Sequence, residues 1–151
     1  SVAVQAVVHD FLDARRPIGA RVVVESASYH PIRLAAELQL RPAADREVIA
    51  TDAVRTALMF LDPLIGGRSG TGWPFGAPLY LAEISAVLQQ VPGVEFVSRL
   101  QAFRLAERAS SVPGERSSDE VDIGTRLDLG PTDLLFPDDV QIFFSSESGD
   151  R

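Results

Sequence analysis

An α+β two-layer sandwich, with an antiparallel or mixed sheet and helices on one face, is the fold that this 151-residue sequence predicts. Three observations carry the prediction. Ile32, Leu34, Ala36, Leu38 and Leu40 alternate with Arg33, Glu37 and Gln39, the period of a half-buried strand. Ala50, Val54, Ala57, Leu58, Leu61 and Ile65 recur at helical spacing. Finally, the elements run helix, strand, strand, helix, loop, helix, strand, loop, strand, an order that closes as a ferredoxin-like split βαβ with two helices packed on the sheet.

Each element has a local cause. Val4, Val7, Val8, Phe11 and Leu12 form one stripe of a first helix, closed by Pro17 and Gly19. Arg21–Glu25 is a short β-rich run, and Ser26–Pro31 a polar turn before the alternating strand. Pro42 ends that strand, and Asp45 is placed to cap a helix running to about Leu61. Pro78 sits where an N1 proline starts the next helix, whose stripe is Tyr80, Ile84, Val87, Leu88 and Val91, and Pro92-Gly93 stops it. Val94–Leu105 is apolar on parts of both faces and reads as an interior strand. Asp133–Phe144 holds the last strand region, broken at Pro137. The division that follows is residues 1–20, a helix and linker from a preceding domain; 21–106, the α+β core; 107–130, an acidic flexible loop; and 131–151, the final strand and tail.

Composition excludes several functions. Cysteine is absent, which removes disulfides and thiolate metal sites. No apolar run approaches the ~20 residues that span a bilayer. Residues 1–106 balance ten acids with ten arginines, while residues 107–151 hold eleven acids and four arginines and so carry the whole net charge of −7. That acidic segment argues against nucleic acid as a partner, since phosphate binding needs clustered positive charge. The first residue is Ser1 rather than Met, which suggests a processed product or part of a longer chain.

The segment Leu61–Gly76 concentrates five of the eleven glycines, two of the ten prolines and the only tryptophan. Glycine opens positive φ and proline fixes φ near −65°, so the path is a defined one. It is not a phosphate loop: Gly70-Thr71-Gly72 runs into Trp73-Pro74, and the chain has no lysine. No catalytic constellation emerges either. His9 and His30 are isolated, and Ser69 lacks the spacing of a nucleophile elbow. Asp119, Glu120 and Asp122 lack a calcium-loop pattern, and Asp138-Asp139 reads as a turn. No metal ligands and no cofactor are expected. What remains is interaction, with Gly72, Trp73, Pro74, Phe75, Gly76, Arg68 and Tyr80 as candidates. Trp73 and Phe75 point the same way if the segment is strand-like and diverge if it turns, so the rings either face a partner or cap the domain's own core. All fourteen cationic residues are Arg, which suits fixed carboxylate pairing.

Taken in order, Arg15-Arg16-Pro17-Ile18-Gly19-Ala20-Arg21-Val22, Ser28-Tyr29-His30-Pro31-Ile32, Leu61-Asp62-Pro63-Leu64, Gly66-Gly67, Gly72-Trp73-Pro74-Phe75-Gly76 and Val91-Pro92-Gly93-Val94 resemble the C-terminal part of the baseplate J-like proteins. These are baseplate assembly proteins of contractile phage tails and of phage-tail-like injection systems. The resemblance covers roughly residues 5–105, with a weaker echo at Leu134–Ile142, and the acidic 107–130 segment has no counterpart in the pattern. It implies a non-enzymatic wedge component present in several copies around a sixfold baseplate. The implied partners are a second wedge protein and sheath-, tube- and hub-proximal subunits, with no small-molecule substrate, nucleic acid or membrane insertion. The implied location is the bacterial cytoplasm during assembly, then the particle. On this reading Trp73→Ala leaves a folded chain and blocks assembly. The alternative class is a small α+β domain that binds a ligand or regulates through the same loop.

Overall fold

Strict alternation buries one face of a strand, and the alternating strand lies inside the sheet. It is β1 (Ser28–Leu40), preceded by α1 (Val2–Asp13) and followed by α2 (Arg46–Leu61), β2 (Leu79–Tyr80), α3 (Leu81–Gln89), β3 (Val94–Glu107), β4 (Ser118–Asp122), β5 (Arg126–Leu127) and β6 (Asp133–Phe144). The structure, a computed structural model, describes residues 2–107 and 118–145. The main sheet has the order β4-β3-β1-β6 and is mixed: β1 is antiparallel to β3 and parallel to β6, and β3 is antiparallel to β4. β2 and β5 form a separate two-stranded ribbon through Leu79↔Leu127 and Tyr80↔Arg126.

The expected two-layer α+β sandwich with helices on one face is the architecture observed. Ile32, Leu34, Ala36 and Leu38 are buried beneath Ile49, Ala53, Ala57 and Leu61 of α2 and Ile84 and Leu88 of α3. α2 packs over β6 and α3 over β3. Each fully buried Leu or Ile contributes about 1.5–3 kcal/mol by leaving water. The path differs from a split βαβ in one respect: β1 and β3, which flank both helices in sequence, lie side by side and antiparallel.

Local chemistry explains the boundaries. Asp45 (φ −80°, ψ 111°) accepts from the Glu47 and Val48 amides at 3.0 and 3.3 Å, capping α2. Such a cap contributes about 1 kcal/mol. The helix buries Ile49, Ala53, Ala57 and Leu61, whereas the expected stripe shared only Ala57 and Leu61 with that row. α2 therefore carries two adjacent apolar rows, and the alanines of the inner one let the helix approach the sheet. Ile65 lies beyond the helix end and is exposed. α3 begins at Leu81 rather than Pro78, because Leu79 and Tyr80 pair with β5 instead. Gly93, with φ +95°, ends the turn after α3.

Four expectations are corrected. Residues 21–27 are not a strand; β1 starts earlier, at Ser28, where residues 28–31 gain partners in Asp133–Phe136. β6 is not broken at Pro137. It is an edge strand, where a missing amide is tolerated, and a register shift beside Ile32/Arg33 absorbs Asp138. Asp138 and Asp139 therefore sit within a strand, not in a turn. The expected flexible loop 107–130 contains β4 and β5, paired to β3 and β2; residues 108–117 of it, and 146–151 of the tail, lie outside the described residues. β4 pairs despite its charge because Glu120 reaches Arg33 of β1.

α1 forms as expected, but no residue of it is buried. Its apolar stripe stays in solvent, and Gln5 Nε2 donates to Ser26 Oγ at 2.7 Å to hold it beside the linker.

Candidate interaction site at the glycine-proline loop

The loop begins where α2 ends. Asp62 accepts from the Leu64 and Ile65 amides at 2.7 and 3.0 Å, turning the chain out of the helix. It then folds back on itself: the Gly67 amide donates to Phe60 O at 2.8 Å, Gly72 to Gly66 O at 3.0 Å and Trp73 to Pro63 O at 3.1 Å. These crossings need glycine. A Cβ on Gly66 would lie 2.5 Å from the carbonyl oxygens of Met59 and Phe60, and one on Gly72 would lie 2.8 Å from Pro63 O.

The loop's rings diverge. Trp73 is buried, packs edge-on against Phe60 at 5.7 Å and donates its indole N–H to Ala77 O at 3.0 Å. Phe75 points outward and is 61% exposed. Trp73 is thus a core residue, which corrects its place among the interaction candidates; Phe75 keeps that place. Pro74 is exposed between them, and Gly76 (φ +69°) donates to Asp133 O at 3.2 Å, fastening the loop to the start of β6.

Arg68 and Tyr80 come together as a structural cluster. Arg68 makes a two-pronged ion pair with Glu83 in the first turn of α3, its Nη2 donating to Oε2 at 3.1 Å. That hydrogen bond raises the Arg68 pKa above its ordinary value. Its guanidinium lies 5.9 Å from the Tyr80 ring centroid and that of Arg126 lies 5.3 Å from it. Arg68, Ser69, Trp73, Pro74 and Ala77 line a cavity of about 200 Å³, smaller than the ~300–1,000 Å³ of ordinary ligand pockets.

Two features of the site carry no clear sequence signal. Leu64 and Ile65 are 77% and 60% exposed at the loop's start, where their apolar character predicts burial. His30, expected on a surface turn, lies in β1 with Nε2 3.0 Å from Asp133 Oδ2. Asp133 also accepts the Gly130 amide at 2.8 Å. That backbone hydrogen bond, with the His30 contact adding to it, holds the Asp133 carboxyl below its ordinary pKa against the opposing effect of desolvation. A carboxylate depressed in the folded state stabilises above its unfolded pKa and loses that stabilisation as pH falls through the folded one. Asp133→Asn is therefore expected to flatten the decline of melting temperature on acidification below about pH 4. Parallel acid titrations of the two proteins with identical slopes would contradict this.

Three further acids gather around one arginine. Arg33 pairs with Glu120 and lies 3.5 Å from Asp138 Oδ2 and 3.7 Å from Asp139 Oδ2. Among the described residues, no three His, Asp or Glu side chains form a metal-binding group, and no helix is long and apolar enough to cross a membrane. Compared with known proteins, the sequence matches no family model and no curated protein.

Proposed function

We propose that the chain is a structural module of a contractile-tail or injection-system baseplate wedge, assembling through protein–protein contacts. The observation that carries the reading is the apolar surface left outside the core. α1 presents Val4, Val7, Phe11 and Leu12 to solvent, and the glycine-proline loop presents Leu64, Ile65 and Phe75. Contiguous exposed apolar surface marks interaction sites. A rigid loop lowers the entropy that docking must offset. The resemblance carried by Gly72-Trp73-Pro74-Phe75-Gly76 supplies the class of particle. The partners are then neighbouring wedge, sheath-proximal and hub subunits in a sixfold array, formed in the bacterial cytoplasm and retained in the particle.

The test is reconstitution of particles with a Leu64→Asp/Phe75→Asp chain. Both side chains are exposed, so the fold is expected to survive while particle yield falls at least tenfold. Normal yield with a folded double variant would sink the reading. The small cavity beside Trp73 is what favours the alternative, a ligand-binding domain. A thermal-shift screen separates the two, since a ligand at 100 times its Kd stabilises by about 2.7 kcal/mol.

A further inference from the structure

The His30–Asp133 pair stands at the foot of the loop that carries Phe75. The Gly76 amide, which closes that loop, donates to Asp133 O at 3.2 Å, and the Asp133 amide donates to Gly130 O at 3.0 Å. The Asp133 carboxylate in turn accepts the Gly130 amide through Oδ2 at 2.8 Å. Loop, turn and carboxylate are in direct contact. A Cβ on Gly76 would lie 3.2 Å from Gly130 O and 3.3 Å from the Pro131 Cα, and one on Gly130 would lie 3.1 Å from Asp133 Oδ2. A shift of the Asp133 carboxylate is therefore passed to the turn on which the loop rests.

His30 is the group whose charge bears on that carboxylate. Its side chain is 25% exposed and that of Asp133 22%, so water screens the pair only in part. Nε2 lies 3.0 Å from Oδ2, yet it is buried and makes no aligned hydrogen bond. An attraction without alignment depends on charge. Imidazolium is drawn to the carboxylate, whereas a neutral ring offers a misaligned N–H or, in its other tautomer, a lone pair facing Oδ2. Neighbouring charges do not take its place. Arg104 of β3 also favours the Asp133 carboxylate, by less than His30 does. Asp128, in the preceding turn, is engaged by Arg126. Arg33 gathers Glu120, Asp138 and Asp139 on the opposite face of β1. Histidine changes charge between about pH 5 and 8, and Asp133, held below its ordinary range, stays ionised there.

We propose that His30 is a pH-sensitive latch on the Phe75 loop. Protonated, it fixes Asp133 and with it the Gly130–Asp133 turn and the Gly76 amide; deprotonated, it lets the end of the loop open more often. The extra order is present while the imidazolium persists and is lost as pH rises through the histidine titration. The apolar surface that the loop offers is then firmest in mildly acidic solution. The latch governs how tightly Phe75 is held and not what it meets, so its failure would leave the baseplate reading standing.

The experiment is an NMR series on the whole chain across the histidine range, from about pH 5.5 to about pH 8. The His30 ring resonances are expected to titrate. Exchange protection of the Gly76 and Gly130 amides is expected to fall with them by about fivefold, the weight of a partly buried charge pair. Protection is taken relative to the intrinsic exchange rate, so the direct effect of pH cancels. Ala53, buried in α2, is expected to keep its protection, since local opening leaves the core closed. The chain has two histidines, and His9 lies on the unburied α1, so His9→Gln is expected to leave the fall intact. His30→Gln and Asp133→Asn are each expected to abolish it, so the result does not depend on one variant folding. A His30 ring that does not titrate in this range overturns the proposal. So does constant protection at Gly76 while the ring titrates, an equal fall at Ala53, or a fall that survives His30→Gln.

Discussion

Trp73→Ala is expected to lower the unfolding free energy by about 3–5 kcal/mol, the range for truncating a buried aromatic. Trp73 is 4% exposed, contacts Phe60 edge-to-face and satisfies its indole N–H on Ala77 O. Truncation removes the ring, leaves a cavity and orphans the carbonyl. For a domain of this length each kcal/mol moves the melting temperature by about 2–4 °C, so a fall on the order of 10 °C is expected. Trp73→Phe keeps most of the packing and loses the hydrogen bond, worth about 1 kcal/mol. Phe75→Ala, at an exposed ring, is expected to stay within about 0.5 kcal/mol. Urea unfolding of the three variants ranks them. An unchanged midpoint for Trp73→Ala would place the ring outside the core. Because Trp73 is buried, its truncation acts on the core as well as on any docking surface, so the assembly test uses the exposed Leu64 and Phe75 instead.

The second large effect is at Gly72. Its φ of +99° is a conformation that side chains resist, and an added Cβ would meet Pro63 O at 2.8 Å and Leu64 O at 2.9 Å. Both oxygens belong to backbone that the Trp73 amide and the Asp62 carboxylate hold in place. Neither can swing aside. Backbone strain of about 1–3 kcal/mol and overpacking of similar size act together, so Gly72→Ala is expected to cost about 3 kcal/mol or more. Gly70→Ala is its control: φ is +67°, but no atom lies within 4 Å of the added Cβ. Only the strain remains there. Equal losses at the two positions, measured by thermal unfolding, would show that the close backbone crossing contributes nothing.

Much of the fold was legible because local and global signals agree. Period-two alternation in Ile32–Leu40 needs no partner to be recognised, and Asp45 caps its helix through amides two and three residues away. Pro92-Gly93 likewise stops α3 by local geometry. The errors share a physical origin. β1 extends back to Ser28 only because β6 returns alongside it, and β6 continues through Pro137 only because that strand is at an edge. β4 reads as a polar charged loop until Arg33 supplies a partner for Glu120. Of the candidate site, sequence picked out the loop and its rings. It left open which ring faces inward, and the His30–Asp133 contact joins residues from opposite ends of the core.

By itself the sequence determined the fold class, the two helices, the central strand and a stiff Gly/Pro/Trp/Phe loop between the helices. Each depends on side-chain periodicity or on φ preferences that act over a few residues. Tertiary structure alone decided which of two apolar rows on α2 enters the core, and that Trp73 turns inward while Phe75 stays out. It also decided that Val140–Phe144 ends as an open edge beside the unused row. Those choices rest on how closely whole elements approach one another, and apolar residues in adjacent rows do not encode which neighbour will cover them.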